Sequence, residues 1–256
     1  QQQKKRKLQN QLRKATLQTV ATVTSPVELK QHWQRVQDNF EQLFAVPEDV
    51  AEFKGLILDL AANGRLLSPA QYSKESTGID VLKEIESVRI EWAENSFDQE
   101  LKEAKTMLTK IRKQNVELPT DELPEHWQWA TFLQVSKAII DCHNKTAPYI
   151  GKGIHLVRTT DIRTGKMLLG NTKKISDETY DYWARRMPPK SGDIFFTREA
   201  PMGEAAIVPE NEKVCLGQRT MLLRLSSELI NNEFLLYIIR SPSFQNRMVE
   251  AALGMT

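Results

Sequence analysis

From residue 79 to residue 114 the chain contains neither proline nor glycine, and glutamate and lysine dominate. A run of that length without a breaker reads as helix. Its apolar positions, Val81, Leu82, Ile85, Val88, Trp92, Leu101, Ala104, Leu108 and Ile111, form only a sparse stripe, with a break expected near Asn95 and Ser96. A helix so thinly apolar is mostly solvated and must lean on another element. It reads as a surface spacer rather than a dedicated partner-binding face.

The segments on either side differ in kind. Residues 1–20 open with Lys4, Lys5, Arg6 and Lys7 and place Leu8, Leu12, Ala15 and Thr16 at helical spacing. Ser25-Pro26 is a helix start, followed by Leu29, Trp33, Val36, Phe40 and Phe44 on one face. A third helix starts at Pro47-Glu48 and stops at Asn63-Gly64. Residues 66–78 read as a polar connector, and the prolines within residues 118–124 mark a domain boundary. Beyond it, residues 128–133, 154–157, 167–169, 193–196, 205–208 and 221–225 read as short strands punctuated by Gly, Pro, Asn and Asp. A short helix is expected at residues 177–186, and a closing helix from residue 232 restarts after Ser241-Pro242. The predicted class is α+β: a helical bundle (1–66), a helical spacer and linker (67–122), and an α/β domain with a curved, irregular sheet (123–256).

Charge refines this division. The net charge is only +2, but residues 126–225 hold fifteen lysines and arginines against ten acids. Such a modestly basic domain suits a partner offering a limited set of phosphates. Two cysteines, Cys142 and Cys215, make no disulfide framework, and no apolar run reaches the roughly 20 residues of a membrane helix. A reducing cytoplasm is the expected location.

The most chemically informative stretch is residues 191–225. One apolar run leads into Thr197-Arg198-Glu199, and another is preceded by Gly217-Gln218-Arg219-Thr220. Arginine forks and glutamine amides at strand ends can read guanine and adenine edges bidentately, at about 1–3 kcal/mol of discrimination per good pair. Gly203 and Gly217 read as turn residues that aim these side chains. Catalytic patterns are missing from the letters: GKG at residues 151–153 is too short for a nucleotide loop, and Met187-Pro188-Pro189-Lys190 lacks the amide and ring of an adenine methyltransferase site. Cys142, His143, His155 and Cys215 follow no zinc spacing, Asp141 with His143 completes no nucleophilic triad, and Glu210, Glu212 and Lys213 only faintly suggest a metal nuclease.

Several blocks occur together in order: FKGLILDLAANGRLL (53–67), LPEHWQWATF (123–132), GKGIHLVRTTDIRTGKML (151–168), TREAPMG (197–203) and LGQRT (216–220). They resemble a target recognition domain and adjoining helical region of a type I restriction-modification specificity subunit, over roughly residues 50–255. The resemblance implies a non-catalytic subunit that reads double-stranded DNA in a bacterial or archaeal cytoplasm. It implies partners too: modification subunits that methylate adenine and motor-nuclease subunits that cut, with S-adenosylmethionine, ATP and Mg on those partners and no cofactor on this chain. It places Thr197, Arg198, Gln218, Arg219 and Thr220 on DNA-facing loops, and Lys145, Tyr149, Lys152, Lys173 and Lys174 near phosphates. Arg158 and Thr160 extend the same surface. Leu29, Trp33, Phe40 and Phe44 either close the bundle or face a modification subunit.

A complete subunit of this kind has two recognition domains, each followed by a long helix. This sequence has one and ends at Gly254-Met255-Thr256, which fits a fragment of a longer subunit better than a half-subunit that forms a homodimer. Two-fold pairing would read a palindrome. The alternative reading is a non-catalytic helical scaffold that binds protein. The base sequence recognised lies beyond these letters.

Overall fold

The computed structural model describes residues 1–23, 25–67 and 76–253. Most of the polar connector expected at residues 66–78, and the last three residues, therefore lie outside the described residues. Helices α1 (Gln2–Thr22), α2 (Pro26–Asp38), α3 (Phe40–Leu43) and α4 (Val50–Ala62) form the N-terminal bundle, with a 3-10 turn at Pro47–Asp49 leading into α4. Ser25 caps α2, its hydroxyl accepting from the Glu28 N–H, with Pro26 in the first turn. Leu17, Val20, Val36, Leu43, Phe44, Leu56 and Leu60 make the bundle core.

The inward face of α1 differs from the sequence expectation. Leu8 and Leu12 are 65% and 54% exposed, while Arg13, Leu17 and Val20 are buried. The helix is turned because Arg13 is neutralised internally. Its guanidinium lies 2.7 Å from Asp49 and 2.9 Å from Glu52, and Asp49 also accepts a fork from Arg6 and the N–H groups of Ala45 and Val46. A buried charge is tolerable when it is paired and hydrogen-bonded. A hydropathy stripe counts that arginine as a solvent position.

The breaker-free stretch forms two helices, α5 (Gly78–Asn95) and α6 (Asp98–Lys113), interrupted where Asn95-Ser96 predicted. Trp92, Ala104 and Met107 join the apolar core of the following domain, so one core continues across the linker at residues 118–124. Two arginines reinforce this union. Arg89 donates to the carbonyls of Gln134 and Ser136 at 2.8 and 3.1 Å, and Arg186 makes a two-pronged contact with the buried Glu103 at 2.8 and 2.7 Å. Burial pushes the Glu103 carboxyl up, but the Arg186 fork outweighs it and holds it below the ordinary range.

The first strand predicted in that domain is absent. Residues 128–131 are irregular and Phe132–Val135 is a single helical turn, α7, because Thr131 and Gln134 form a reciprocal capping box. The strand comes next, β1 (Ser136–Asp141). It pairs with β9 (Thr220–Leu225), which pairs with β6 (Ile194–Thr197), which pairs with β7 (Ala205–Ile207), all antiparallel. A smaller mixed sheet places β2 (Ile154–Val157) between antiparallel β5 (Lys173–Ile175) and parallel β8 (Val214–Leu216), and β3 (Ile162–Arg163) and β4 (Lys166–Met167) make a hairpin. Helix α8 (Asp177–Trp183) covers a satellite core of Ala147, Ile154, Leu156, Ile175, Tyr180, Ala184 and Cys215. The class is α+β.

Helices α9 (Asn232–Arg240) and α10 (Pro242–Leu253) close the chain and meet the bundle through α4. The Asp59 carboxylate of α4 accepts from the Ser243 N–H at 2.8 Å, an acid at the start of α10 that suits its unpaired N–H groups and dipole. Gly55 lies against the Pro242 ring.

Candidate functional site

Three neighbouring strands end at one rim. Asp141 ends β1, Thr197 ends β6 and Thr220 begins β9, and the ladder continues through Cys142 N–H to the Thr220 carbonyl and Arg198 N–H to the Arg219 carbonyl, at 3.2 and 2.9 Å. Arg198 and Arg219 therefore emerge side by side. Thr197 and Thr220 do not join them. Both are fully buried, and their hydroxyls donate to the Pro201 and Gly217 carbonyls at 2.5 and 2.7 Å, so they shape turns and are withdrawn from the groups offered to solvent.

Each arginine has a carboxylate partner. Arg198 Nη1 lies 3.2 Å from Asp141, and Arg219 Nε lies 3.1 Å from Glu199. Glu204 of the same loop accepts from the Thr164 N–H at 2.9 Å. The Cys142 sulfur accepts from the Arg219 backbone N–H at 3.2 Å and lies 4.0 Å from Arg198 Nη2. Arg219 has φ +64°, a left-handed conformation that costs a non-glycine residue roughly 1–2 kcal/mol. The two glycines of these loops act differently. Gly203 has φ +86°, whereas at Gly217 a side chain would meet the Val157 carbonyl at 2.6 Å, so close backbone approach accounts for it.

Beside the rim lies an open recess of about 210 Å³. Lys145, Tyr149, Arg158, Thr160, Gln218 and Arg219 all line it, bringing together groups up to 74 residues apart in sequence. Gln218 Nε2 donates to the Asn144 carbonyl at 3.3 Å, tying its loop to the polar one. Arg158 is held by Asp161 at 3.0 Å, and that hydrogen bond raises the guanidinium further above its ordinary range. Lys173 reaches the Tyr149 ring at 5.8 Å, Lys174 turns onto His155, and Lys152 is exposed outside the lining.

The recess also contains Thr159 and Trp183. Trp183 packs at a tilt against His143 with ring centroids 4.6 Å apart, Tyr182 lies 5.4 Å from His143, and Arg185 covers Tyr182 at 4.0 Å. Burial is the main cause that pushes the His143 imidazole down, with Arg185 and Lys145 adding to it. The three aromatics followed by two arginines within residues 180–186 are the available signal for this patch. Its proximity to residues 143–149 was not readable.

Leu29, Trp33, Phe40 and Phe44 occupy the N-terminal bundle. Trp33 stacks on Phe53 at 5.7 Å, and Phe44 packs on Phe40 and Phe53 at 4.7 and 5.1 Å. Leu29 and Trp33 are half-buried and Phe44 is buried, which leaves Phe40, at 39%, as the exposed member. These side chains pack within the bundle, with Phe40 the most exposed of the four. Burial holds the Cys215 thiol inert, pushed up to about 12. Among the described residues, no three His, Cys, Asp or Glu side chains gather as a metal site requires, and no helix is long and apolar enough to cross a membrane.

No protein-family model matches the chain. The specificity subunit of the type I restriction enzyme EcoAI from Escherichia coli is 24% identical over 247 residues, spanning 92% of this chain and 39% of that protein. The solved HsdS subunit from Thermoanaerobacter tengcongensis aligns with 62% of this chain and 37% of its own at 21% identity and a TM-score of 0.33. The chain thus spans about two-fifths of the length of the curated relative. Over nearly all of its own length, this chain is similar to the specificity subunit of a type I restriction enzyme.

Proposed function

We propose that this chain is a non-catalytic, sequence-reading subunit of a type I restriction-modification assembly and that its mixed domain binds double-stranded DNA through the strand-end rim and the adjoining recess. One observation supports this most: six polar, cationic or aromatic side chains from three loop regions, the exposed Arg219 among them, line one recess, and the exposed Arg198 lies beside it. Arginine and glutamine donors suit base edges, and lysines suit phosphates. A partner modification subunit would methylate adenine, with S-adenosylmethionine bound there, and motor-nuclease subunits would hold ATP and Mg. Cytoplasmic location follows from that role.

The test is the adenine methylation map of cells expressing this chain with its cognate modification subunit, beside an Arg198→Ala, Arg219→Ala variant. A defined motif that is lost or relaxed in the variant supports the reading. An asymmetric bipartite motif points to a second recognition domain, and a palindrome to two-fold pairing of this chain. Absence of any motif while the subunits co-purify would overturn DNA reading and favour the scaffold alternative. One feature favours protein binding at a separate place: a groove of about 720 Å³ along α6, lined by Lys102, Lys105, Lys110 and Lys113 with Leu101 and Leu133, which suits an acidic amphipathic segment.

A further inference from the structure

We propose that Asp141 and Glu199 are specificity-determining positioning residues: each carboxylate aims one rim arginine and screens it from phosphates, so that the guanidinium engages a base edge in preference to the backbone. This rests on the DNA-reading function proposed above. Asp141 and Glu199 come from different segments, yet the strand ends deliver them beside Arg198 and Arg219 at 3.2 and 3.1 Å. The four groups carry no net formal charge and adjoin a recess lined by Lys145 and Arg158.

Stability does not explain the pairs. The Arg219 and Glu199 side chains are 61% and 59% exposed, and Arg198 and Asp141 are 39% and 41% exposed. Ion pairs so open to water contribute little to folding. The nearest approaches are Arg219 Nε to Glu199 and Arg198 Nη1 to Asp141. A guanidinium carries five N–H donors, so each arginine retains donors beyond its ion pair. Two such donors match the neutral O6 and N7 acceptors of guanine. A phosphate competing for the same arginine must approach a carboxylate of its own sign. The enforced φ of +64° at Arg219 and the Cys142 contact fix where that side chain starts.

Among the described residues, no carboxylate forms an ion pair with Lys145, Lys152 or Lys173. Lys145 and Lys152 are exposed, and Lys173 faces the Tyr149 ring. The surface therefore divides into cations open to phosphate and cations held for bases.

The experiment measures binding of the full chain to a random-sequence 30-base-pair duplex across 50 to 200 mM salt. Four proteins are compared: wild type, Asp141→Asn with Glu199→Gln, Arg198→Ala with Arg219→Ala, and all four changes together. Unguarded arginines add up to two phosphate contacts. The carboxylate variant is then expected to bind random DNA more tightly at 50 mM and to lose about tenfold more affinity than wild type by 200 mM, a slope steeper by roughly 1.8. Alanine at both arginines should leave the wild-type slope nearly unchanged and abolish the effect of removing the acids. Glu199→Gln alone, at the most exposed pair, should give about half the change, and Glu199→Asp should restore the wild-type slope.

An unchanged slope in the carboxylate variant overturns the proposal while leaving DNA binding intact. So does an equal increase without the arginines, since that reports only general charge repulsion. Wild type that shows no salt-dependent duplex binding at all overturns the DNA-reading function together with this inference.

Discussion

The Arg13–Asp49 pair of the N-terminal bundle and the Arg219–Glu199 pair of the rim use the same functional groups at 2.7 and 3.1 Å. Their side chains are 6% and 2% exposed in the bundle but 61% and 59% exposed at the rim. Behind Asp49 stand two arginines and two backbone N–H groups, so losing any member strands a buried charge. Glu199 faces water, which can replace either partner. The chemistry of an ion pair is thus uninformative by itself: burial decides whether it holds a fold together or leaves both members open to water.

The largest test of this contrast is Asp49→Ala, expected to cost about 3 kcal/mol in urea unfolding because Arg13 loses a compensating charge inside the bundle. A cost near that of a surface change would collapse the comparison. Acid sharpens it. The Arg6 hydrogen bonds hold the Asp49 carboxyl below its ordinary value, and the Arg186 fork does the same for Glu103 against the opposing effect of burial. A depressed folded-state pKa contributes stability above the unfolded value of about 4, and that contribution fades as pH falls through the lower folded value. Unfolding midpoints should therefore drop below about pH 4, and Asp49→Asn should remove part of the difference between pH 7 and pH 3.

At the rim the expected effects on folding are smaller. Arg219→Gly should leave the protein more stable than Arg219→Ala by about 1 kcal/mol, because glycine relieves the left-handed backbone; equal stability would show that this conformation carries no strain. Glu199→Gln should change thermal stability by less than about 0.5 kcal/mol, and a larger loss would make the rim pair structural like its buried counterpart.

Much of the helical architecture was legible. Ser25-Pro26, the interruption at Asn95-Ser96 and the restart at Pro242 depend on local capping and breaking, which operate over a few residues. The helical face of α1 was misassigned because Arg13 is buried by pairing with groups 36 and 39 residues away. The strand placed at residues 128–133 was displaced by a Thr131–Gln134 capping box that the letters did contain. Among the candidate site residues, the exposed arginines and the loop lysine and tyrosine were identifiable by type and strand-end position. Thr197 and Thr220 were not separable from them, since a polar residue beside an arginine can equally be a buried turn brace.

The sequence by itself determined the helical first half, the α+β class, and the residues able to present cationic and amide donors, because periodicity, breakers and side-chain chemistry are local properties. Tertiary structure alone decided that α5 and α6 share the sheet's core, that Asp141 and Glu199 guard the two arginines, and that loops near residues 145, 158 and 218 meet at one recess. Those outcomes depend on which strand ends become neighbours. Register and burial between distant segments are fixed by packing the whole apolar core at once, and no short window of residues contains that information.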